Sequence, residues 1–558
     1  MSLKFIAISG TTSVTENMYI YEYSPTEASA KAGGGDMIVV DCGVGFPEAE
    51  MYGVDLVIPD FTYIKENKEK LRGILISHGH EDHLGALPFL YKEVKAPIYS
   101  TKLVAGFIEE KFLDYGIKGE KVNVFDPEKD VISLGNFKVT PFRVSHSVPD
   151  GVGFAIDSPE GKILHVADYK FDFTPVDRRP FDVAKLASLA SGGALALASD
   201  CLGSTSPGYT ESEQEIEGRI EDIFIGSKKQ IFFSTISSNI SRMQQAINVA
   251  KKLSRKVVFI GRSIERKANI AKRLGYLDYD EGLVISPPEA KKVDESKIVY
   301  IISGSYGQPG SALYRLSLGE HEFLKINPED TVVFSSDPAP PGSKVNVDFV
   351  VNKLIERDVD VHYYDLQEDL HVSGHGSQKD IEMLLAIVNP QFAIPIGGTI
   401  RHMRAYGKIA AGMGMSKEQV FELSGGEVVE FSKGNAKISG KIQVRDVLVD
   451  GLGIGDVGNV VLRDRQILAR DGAAIVILQL DRHEKRLFAL PEIISRGFVY
   501  EGRSKEFLLK ASEGLSKELA RKSLDAKIIR DISIDYLEKF FFKETGRRPM
   551  VLPVVVEV

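Results

Sequence analysis

The chain has 558 residues, 43% of them hydrophobic, enough for more than one sizeable core, and three domains are expected. Acidic residues outnumber basic ones, 78 to 69, and the formal net charge of -9 argues against a protein that coats nucleic acid by bulk charge, though an acidic protein can still hold a locally basic channel. No apolar run approaches the roughly 20 residues that span a bilayer, no secretory leader is recognisable, and Cys42 and Cys201 have neither disulfide-framework nor zinc-finger spacing, so a cytoplasmic protein without a membrane partner is expected.

From residue 3 to about 200, short β-rich runs at 37–41, 73–77, 137–144 and 162–166 alternate with Gly/Pro/Asp turns. Ionisable residues follow several of these runs, where a sheet scaffold presents chemistry. From about 205 to 365 the rhythm becomes strictly alternating. Strands at 230–233, 256–260, 297–302, 331–334 and 360–364 are separated by helical stretches such as 241–253, which predicts a parallel, doubly wound sheet. Ligands on such sheets bind outside the carboxyl ends of the strands. The loops there, at 234–239, 261–263, 303–305 and 335–336, are small and hydroxyl-rich and suit a phosphate backbone. A helix at 378–388 and a buried strand at 392–396 follow. If they complete the first domain, the alternating unit is an insertion. Beyond a turn at 449–455 come strands, helical stretches at about 505–522 and 527–544, and a last strand at 550–556.

The most specific signal is His78-Gly79-His80-Glu81-Asp82-His83, directly after the apolar run at 73–77. Imidazole and carboxylate donors are ligands for zinc or manganese, and four of them in so short a stretch can serve two adjacent metals. His146 follows the strand ending at 144 and Asp168 follows 163–166, so both are placed to complete the site. Asp41, at the end of its own strand, is placed to hydrogen-bond the ligand loop in support. The segment His371-Val372-Ser373-Gly374-His375-Gly376-Ser377 leads into a helix, so its amides and hydroxyls read as a phosphate-binding point, with helix capping by Ser377 as the plainer role. Arg242, Arg262, Arg266 and Lys267 are candidate backbone contacts.

The order Asp41, His78-Gly79-His80-Glu81-Asp82-His83, His146, Asp168 resembles motifs one to four of the metallo-β-lactamase superfamily. Residues 39–59, 207–210, 261–263, 371–376, 450–458 and 495–500 further resemble the ribonuclease J family, so the likeness runs over nearly the whole chain. It implies an α/β protein: an αββα metallo-β-lactamase sandwich with an inserted parallel α/β β-CASP domain and a small α/β C-terminal domain. The corresponding layout is 1–205 and 366–442 for the core, 206–365 for the insertion, and 443–558 for a linker and the C-terminal domain.

By the same resemblance His78, His80 and His146 would hold a first metal and Asp82 and His83 a second, with Asp168 bridging. Asp82, Asp200 and His371 would act in catalysis, the last two in proton handling and orientation near the scissile phosphate. Ser237, Ser238 and Asn239, with His371, Val372, Ser373, Gly374 and His375, would contact substrate, and Asp450 is a candidate ligand for an additional metal. The expected cofactor is Zn2+ at two sites, with Mn2+ or Mg2+ as alternatives. The implied activity is 5′-to-3′ exonuclease with endonuclease cleavage of single-stranded, 5′-monophosphorylated RNA, in mRNA decay and rRNA processing, by a homodimer or homotetramer. The alternatives are a weakly active RNA-binding subunit beside an active homologue, and a small-molecule metallohydrolase.

Two departures stand out. The family's strand corresponding to 392–396 runs into a His-Gly-Glu motif whose histidine completes the second metal site, whereas this chain has Gly397-Gly398-Thr399, leaving that site a ligand short. The opening at residues 9–16 also differs from the family's glycine-rich one.

Overall fold

The structure, a computed structural model, describes residues 1–25, 34–48, 50–336, 343–364, 370–481, 483–484, 486–499, 501–520 and 525–558. The expected boundary at 365/366, the helix end at 521–522, and Ala49 and Tyr500 of the family-like stretches lie outside the described residues.

The described residues form two compact units, one comprising Met1–Phe46 with Val57–Val447, the other Pro47–Leu56 with Leu448–Val558. The first unit is built on two facing sheets. An eight-stranded sheet includes Ser2–Ser9, Met18–Ser24, Asp36–Val40 and Leu71–Leu75, and a six-stranded sheet runs Phe392–Ile396, Ala196–Asp200, Gly161–Val166, Val152–Ser158, Phe137–Arg143, Ile132–Leu134. Phe5, Tyr21, Ile38 and Leu75 of one sheet and Phe154, Ile156, Ile163, Ala198 and Ile394 of the other pack into one core. Helices Val183–Ala190, Gln378–Val388 and Ile400–Gly412 bury Leu186, Leu384 and Met403 in a further core that includes Leu164, Leu197 and Ala393 of the six-stranded sheet, the outer layer of an αββα sandwich. Phe392–Ile396 pairs in parallel with Ala196–Asp200, so the chain after the alternating segment does return to complete this core.

The inserted segment forms a five-stranded, all-parallel sheet in the order Lys256–Ile260, Ile298–Ile302, Ile231–Ser234, Thr331–Phe334, Asp360–His362. Ile231–Ser234, first in sequence, lies centrally, so the connections diverge at its carboxyl end and leave a crevice there. Ile231–Ser234, Ile298–Ile302 and Thr331–Phe334 are buried throughout, the pattern of strands covered on both faces.

In the second unit, Ala473–Asp481 alternates buried and part-exposed residues, pairing antiparallel with Glu492–Arg496 and parallel with Met550–Glu557. Helices Glu501–Leu519 and Ala526–Thr545 contribute Leu515, Leu537 and Phe541 to its core. A third helix, Asn459–Asp471, is an addition to the expected elements. Residues Pro47–Leu56, read from sequence as core, belong to this unit: Arg465 donates to the Tyr52 carbonyl at 2.8 Å and the Gly451 amide donates to Asp55 at 2.8 Å.

Candidate metal centre

Three strand ends and the short helix Glu81–Leu84 bring the predicted ligands to one place. His78 Nε2 lies 3.2 Å from His80 Nδ1, and His146 Nε2 lies 3.0 Å from the same atom. Asp168 Oδ2 is 3.5 Å from His78 Nε2 and 3.6 Å from His146 Nε2. Donors bound tetrahedrally at roughly 2.1 Å from one ion stand about 3.4 Å apart, so these spacings suit a single cation. The other carboxylate oxygen, Oδ1, is 3.3 Å from His83 Nε2, which lies 3.6 Å from Asp82 Oδ2, and Asp168 is shared by both groups.

The hydrogen bonds behind the donors fix which nitrogen faces inward. Asp41 is fully buried with a left-handed φ of 63°, accepts from the Ser77 amide and hydroxyl, and accepts from His83 Nδ1 at 2.8 Å. His146 Nδ1 donates to the Gly374 carbonyl at 2.7 Å. Each of these bonds leaves Nε2 for the centre. A Cβ at Gly374 would lie 2.5 Å from the His146 ring, so only glycine permits this approach. Burial, reinforced by neighbouring imidazoles, pushes His78 and His80 well below the usual range, and burial takes His146 down to about 4. Neutral rings at 3.0–3.2 Å cannot all be donors to one another, so their lone pairs converge on one point. That donor set fits a divalent metal.

Models of three families match the chain: "Metallo-beta-lactamase superfamily" over residues 28–197, "Ribonuclease J, beta-CASP domain" over 228–354 and "Ribonuclease J C-terminal domain" over 460–558. Ribonuclease J2 of Bacillus subtilis is 35% identical over 562 residues, covering 100% of this chain and 99% of the relative. Ribonuclease J 1 of Streptococcus pyogenes is 35% identical, covering 99% and 97%, and Ribonuclease J 2 of Staphylococcus epidermidis is 34% identical, covering 100% and 98%. The chain belongs to the ribonuclease J family. A crystal structure of a protein of unknown function from Enterococcus faecalis shares the fold, with a TM-score of 0.50 at 15% identity over 72% of this chain and 95% of that one.

In this ribonuclease J family member a cavity of about 1970 Å³ joins His80, Asp82, His146 and Asp168 to the loops at the carboxyl ends of the inserted sheet, Ser237, Ser238, Ser263 and Ser303 among them. Arg262, Lys291, Arg315 and Arg401 also line it. Asn239 is buried and caps helix Ile240–Lys252 by accepting from the Arg242 amide.

The two histidines after the insertion separate. His375 Nδ1 is 2.7 Å from Asp200 Oδ2, and its Nε2 lies 3.9 Å from Asp168. Burial pulls its pKa down, but Asp200 and Asp168 outweigh this and raise it to about 9. His371 lies instead beside Arg242 and Glu213, its Nδ1 buried without a hydrogen-bond partner, and burial with the Arg242 charge takes it down to about 3. Among the described residues the group that joins Asp200 to Asp168 contains His375 and not His371.

Other expectations need correction. Arg242 is fully buried, donating to Glu213 at 2.7 Å, to Ser335 and to the Leu370 carbonyl, and cannot reach a nucleic-acid backbone. Lys170, also fully buried, donates to Glu213 and to the Ser373 carbonyl. Lys267 is buried against Glu81, and Arg266 pairs with Glu110 and Asp114. The amides at the start of helix Gln378–Val388 are already used: Gly376 donates to Tyr169, Ser377 to Asp380 and Thr210, Gln378 to Ser206 and Lys379 to Gly208. Asp380 supplies the negative charge there, so a phosphate at that point would meet a buried carboxylate. Of this segment His371, Ser373, Gly374 and His375 line the cavity, while Val372 is buried. Asp450 is ion-paired to Arg465 at 2.6 Å. Gly397 has a φ of 68°, and its Cβ position is 3.4 Å from Asp200 Oδ1, so a side chain there would start in contact with Asp200.

Proposed function

As a member of this family the chain is a metal-dependent ribonuclease, and we propose that it removes nucleotides stepwise from the 5′ end of single-stranded RNA and also cleaves internally. The observation that carries this reading is the single cavity holding both the His/Asp centre and the hydroxyl-rich strand ends of the insertion. Those loops offer hydroxyl and amide donors to a backbone without base readout, and Arg262, Lys291, Arg315 and Arg401 offset its charge.

Divalent ions at paired sites supply Lewis acidity to the phosphodiester and its attacking water. His78, His80, His146 and Asp168 would hold one, and Asp82, His83 and Asp168 the other, with zinc suiting the imidazole donors better than manganese or magnesium. Asp41 keeps His83 in the ligating tautomer. His375, oriented by Asp200 at 2.7 Å, presents Nε2 at the rim of the centre, where it can hold a proton for the leaving oxygen. Ser237, Ser238 and Ser373 are the candidate groups for the terminal nucleotide and its monophosphate.

The test is metal-dependent digestion of 5′-monophosphate and 5′-triphosphate RNA with products identified, beside a lactone and a thioester. Slower end removal from the triphosphate, a difference that Ser373→Ala or His375→Ala shrinks, supports the reading. Equal rates on both ends exclude the terminal pocket, and hydrolysis of the small molecules alone excludes the nuclease. Gly397 favours a second reading, a weakly active RNA-binding subunit beside an active homologue, with turnover restored only on mixing.

A further inference from the structure

Asn17 is buried beside the second donor group, at 1% exposure. Its backbone is pinned on both sides, the amide donating to the Asp82 carbonyl at 3.0 Å and the carbonyl accepting from the Gly43 amide at 3.0 Å. Its side chain touches His83 itself: Nδ2 stands 3.0 Å from His83 Nε2, the nitrogen that faces Asp82 and Asp168. On its other side, Oδ1 stands 2.7 Å from the Tyr19 hydroxyl, which is also 2.9 Å from the Gly10 carbonyl.

This arrangement is consistent only in one state of the site. His83 Nδ1 donates to Asp41, so Nε2 of a neutral ring has a lone pair and accepts the Asn17 amide N–H. A bound cation takes that lone pair, and the amide would then aim a positive hydrogen at a positive ion. A protonated ring has the same objection to an amide donor. Both states call for the carbonyl oxygen instead. An amide turned by 180° exchanges Oδ1 and Nδ2 without moving any other heavy atom, and the hydrogen-bond network decides which orientation holds.

The neighbours accept the exchange. The Tyr19 hydroxyl has one proton, and in the first orientation two acceptors, Asn17 Oδ1 and the Gly10 carbonyl, compete for it. In the second, Nδ2 donates to the hydroxyl, whose proton goes to Gly10. What holds the amide back in the absence of an ion lies on the other side. There Nδ2 also donates to the carbonyls of Asp82 at 3.2 Å and Val14 at 3.4 Å, and an oxygen in its place would face both. A cation at the site compensates that crowding of oxygens.

We infer that Asn17 is a further side-chain donor to the second metal position, turning its carbonyl oxygen toward the ion as the ion binds. This rests on reading Asp82, His83 and Asp168 as that position. The three partners of His83 Nε2 stand at 3.0, 3.3 and 3.6 Å, spacings that ligands of one ion adopt. Asn17 enters from the Ser2–Ser9 to Met18–Ser24 connection, and the Gly10 carbonyl that accepts from Tyr19 also accepts from the Gly397 amide at 2.8 Å. It offers a neutral oxygen where the 392–396 strand end offers no side chain.

The experiment is Co2+ titration of the metal-stripped full-length protein, followed by visible absorption and by calorimetry. The unmodified protein should show a tight and a weaker step. Asn17→Ala should weaken the second step by about tenfold or more and leave the first unchanged. Asn17→Asp, which places a charged oxygen at the same point, should tighten the second step and alter its absorption. Tyr19→Phe, which removes the acceptor for the turned amide, should weaken that step by a smaller factor and keeps the test open if Asn17→Ala does not fold. Second steps unchanged in both Asn17 variants would overturn the inference, as would equal loss of both steps with a lowered unfolding temperature. A single step in the unmodified protein would instead overturn the second position on which the inference rests.

Discussion

Two buried polar clusters lie within the first unit, and they balance their charges in opposite ways. Around Glu213, a fully buried Lys170 and Arg242 donate to one carboxylate and to backbone carbonyls, and every donation ends on a protein acceptor. Around Asp168, imidazole lone pairs crowd together at 3.0–3.2 Å with too few protons to pair them. A cluster closed on itself holds the fold, whereas one left open to a cation binds. Burial alone distinguishes neither, and only the donor and acceptor count does.

The sharpest way to break this contrast is to delete one member of each. His80→Ala should lower RNA hydrolysis by about three orders of magnitude or more, roughly 4 kcal/mol of barrier, while leaving the urea midpoint of the metal-stripped protein near its unmodified value. Activity near the unmodified level in metal-controlled buffer would remove the open cluster from the reaction. Glu213→Ala should do the reverse to stability, costing about 3–5 kcal/mol in denaturant titrations because two cations lose their partner. A loss under about 1 kcal/mol would mean that water reaches the cluster.

Acid sharpens the comparison further. Burial raises the Glu213 carboxyl, but Arg242 and Lys170 outweigh it and hold the group down to about 2, from an ordinary 4.5. Its contribution is therefore complete above pH 4.5 and is lost as pH falls from there toward 2. Unfolding midpoints measured across that window should fall with a slope that flattens in Glu213→Gln. The same slope in the variant would assign the acid sensitivity elsewhere.

Chelation acts on the other cluster alone. Stripping metal should lower the unfolding temperature of the unmodified protein, by up to about 3 kcal/mol equivalent when the ion stood at a hundred times its dissociation constant, and should lower that of His80→Ala by less, since only the Asp82, His83 and Asp168 position stays intact there. Gly397→His is the smallest effect. Its Cβ has ordinary contact distance to Asp200, yet the left-handed φ of 68° costs roughly 1–2 kcal/mol. The second Co2+ step should tighten by about tenfold or less, and no tightening would place that imidazole outside the site.

Much of this was readable in the residues, for reasons specific to each. The His78–His83 cluster sits within one turn after a strand, so adjacency in sequence is adjacency in space. The parallel strands of the insertion follow from their spacing, and the three buried throughout are short, largely apolar runs. His371 and His375 lie too close in sequence to be told apart. What separates them is Arg242 beside one and Asp200 beside the other, each more than a hundred residues away. Arg242 reads as a candidate backbone contact because cations on a helix are usually exposed, and only the long-range Glu213 contact shows it to be buried. Asn17 gave no signal, since its partner His83 is 66 residues distant. The Asn459–Asp471 helix exposes Val460 and Leu468, which blurs the apolar stripe that would have announced it.

The Glu213 cluster also bears on how this architecture can be recombined. Glu213 and Arg242 arrive with the insertion, Lys170 with the core, and Ser373 with the segment after it. A chimera that replaces the segment carrying the five-stranded sheet with a relative's would exchange Glu213 and Arg242 as a pair and leave Lys170 behind. It would keep its charge balance only if the donor brings an acid at the Glu213 position. Exchange of the insertion between distant relatives is thereby restricted to partners that share this lock, even where the strand ends and loops themselves would be interchangeable.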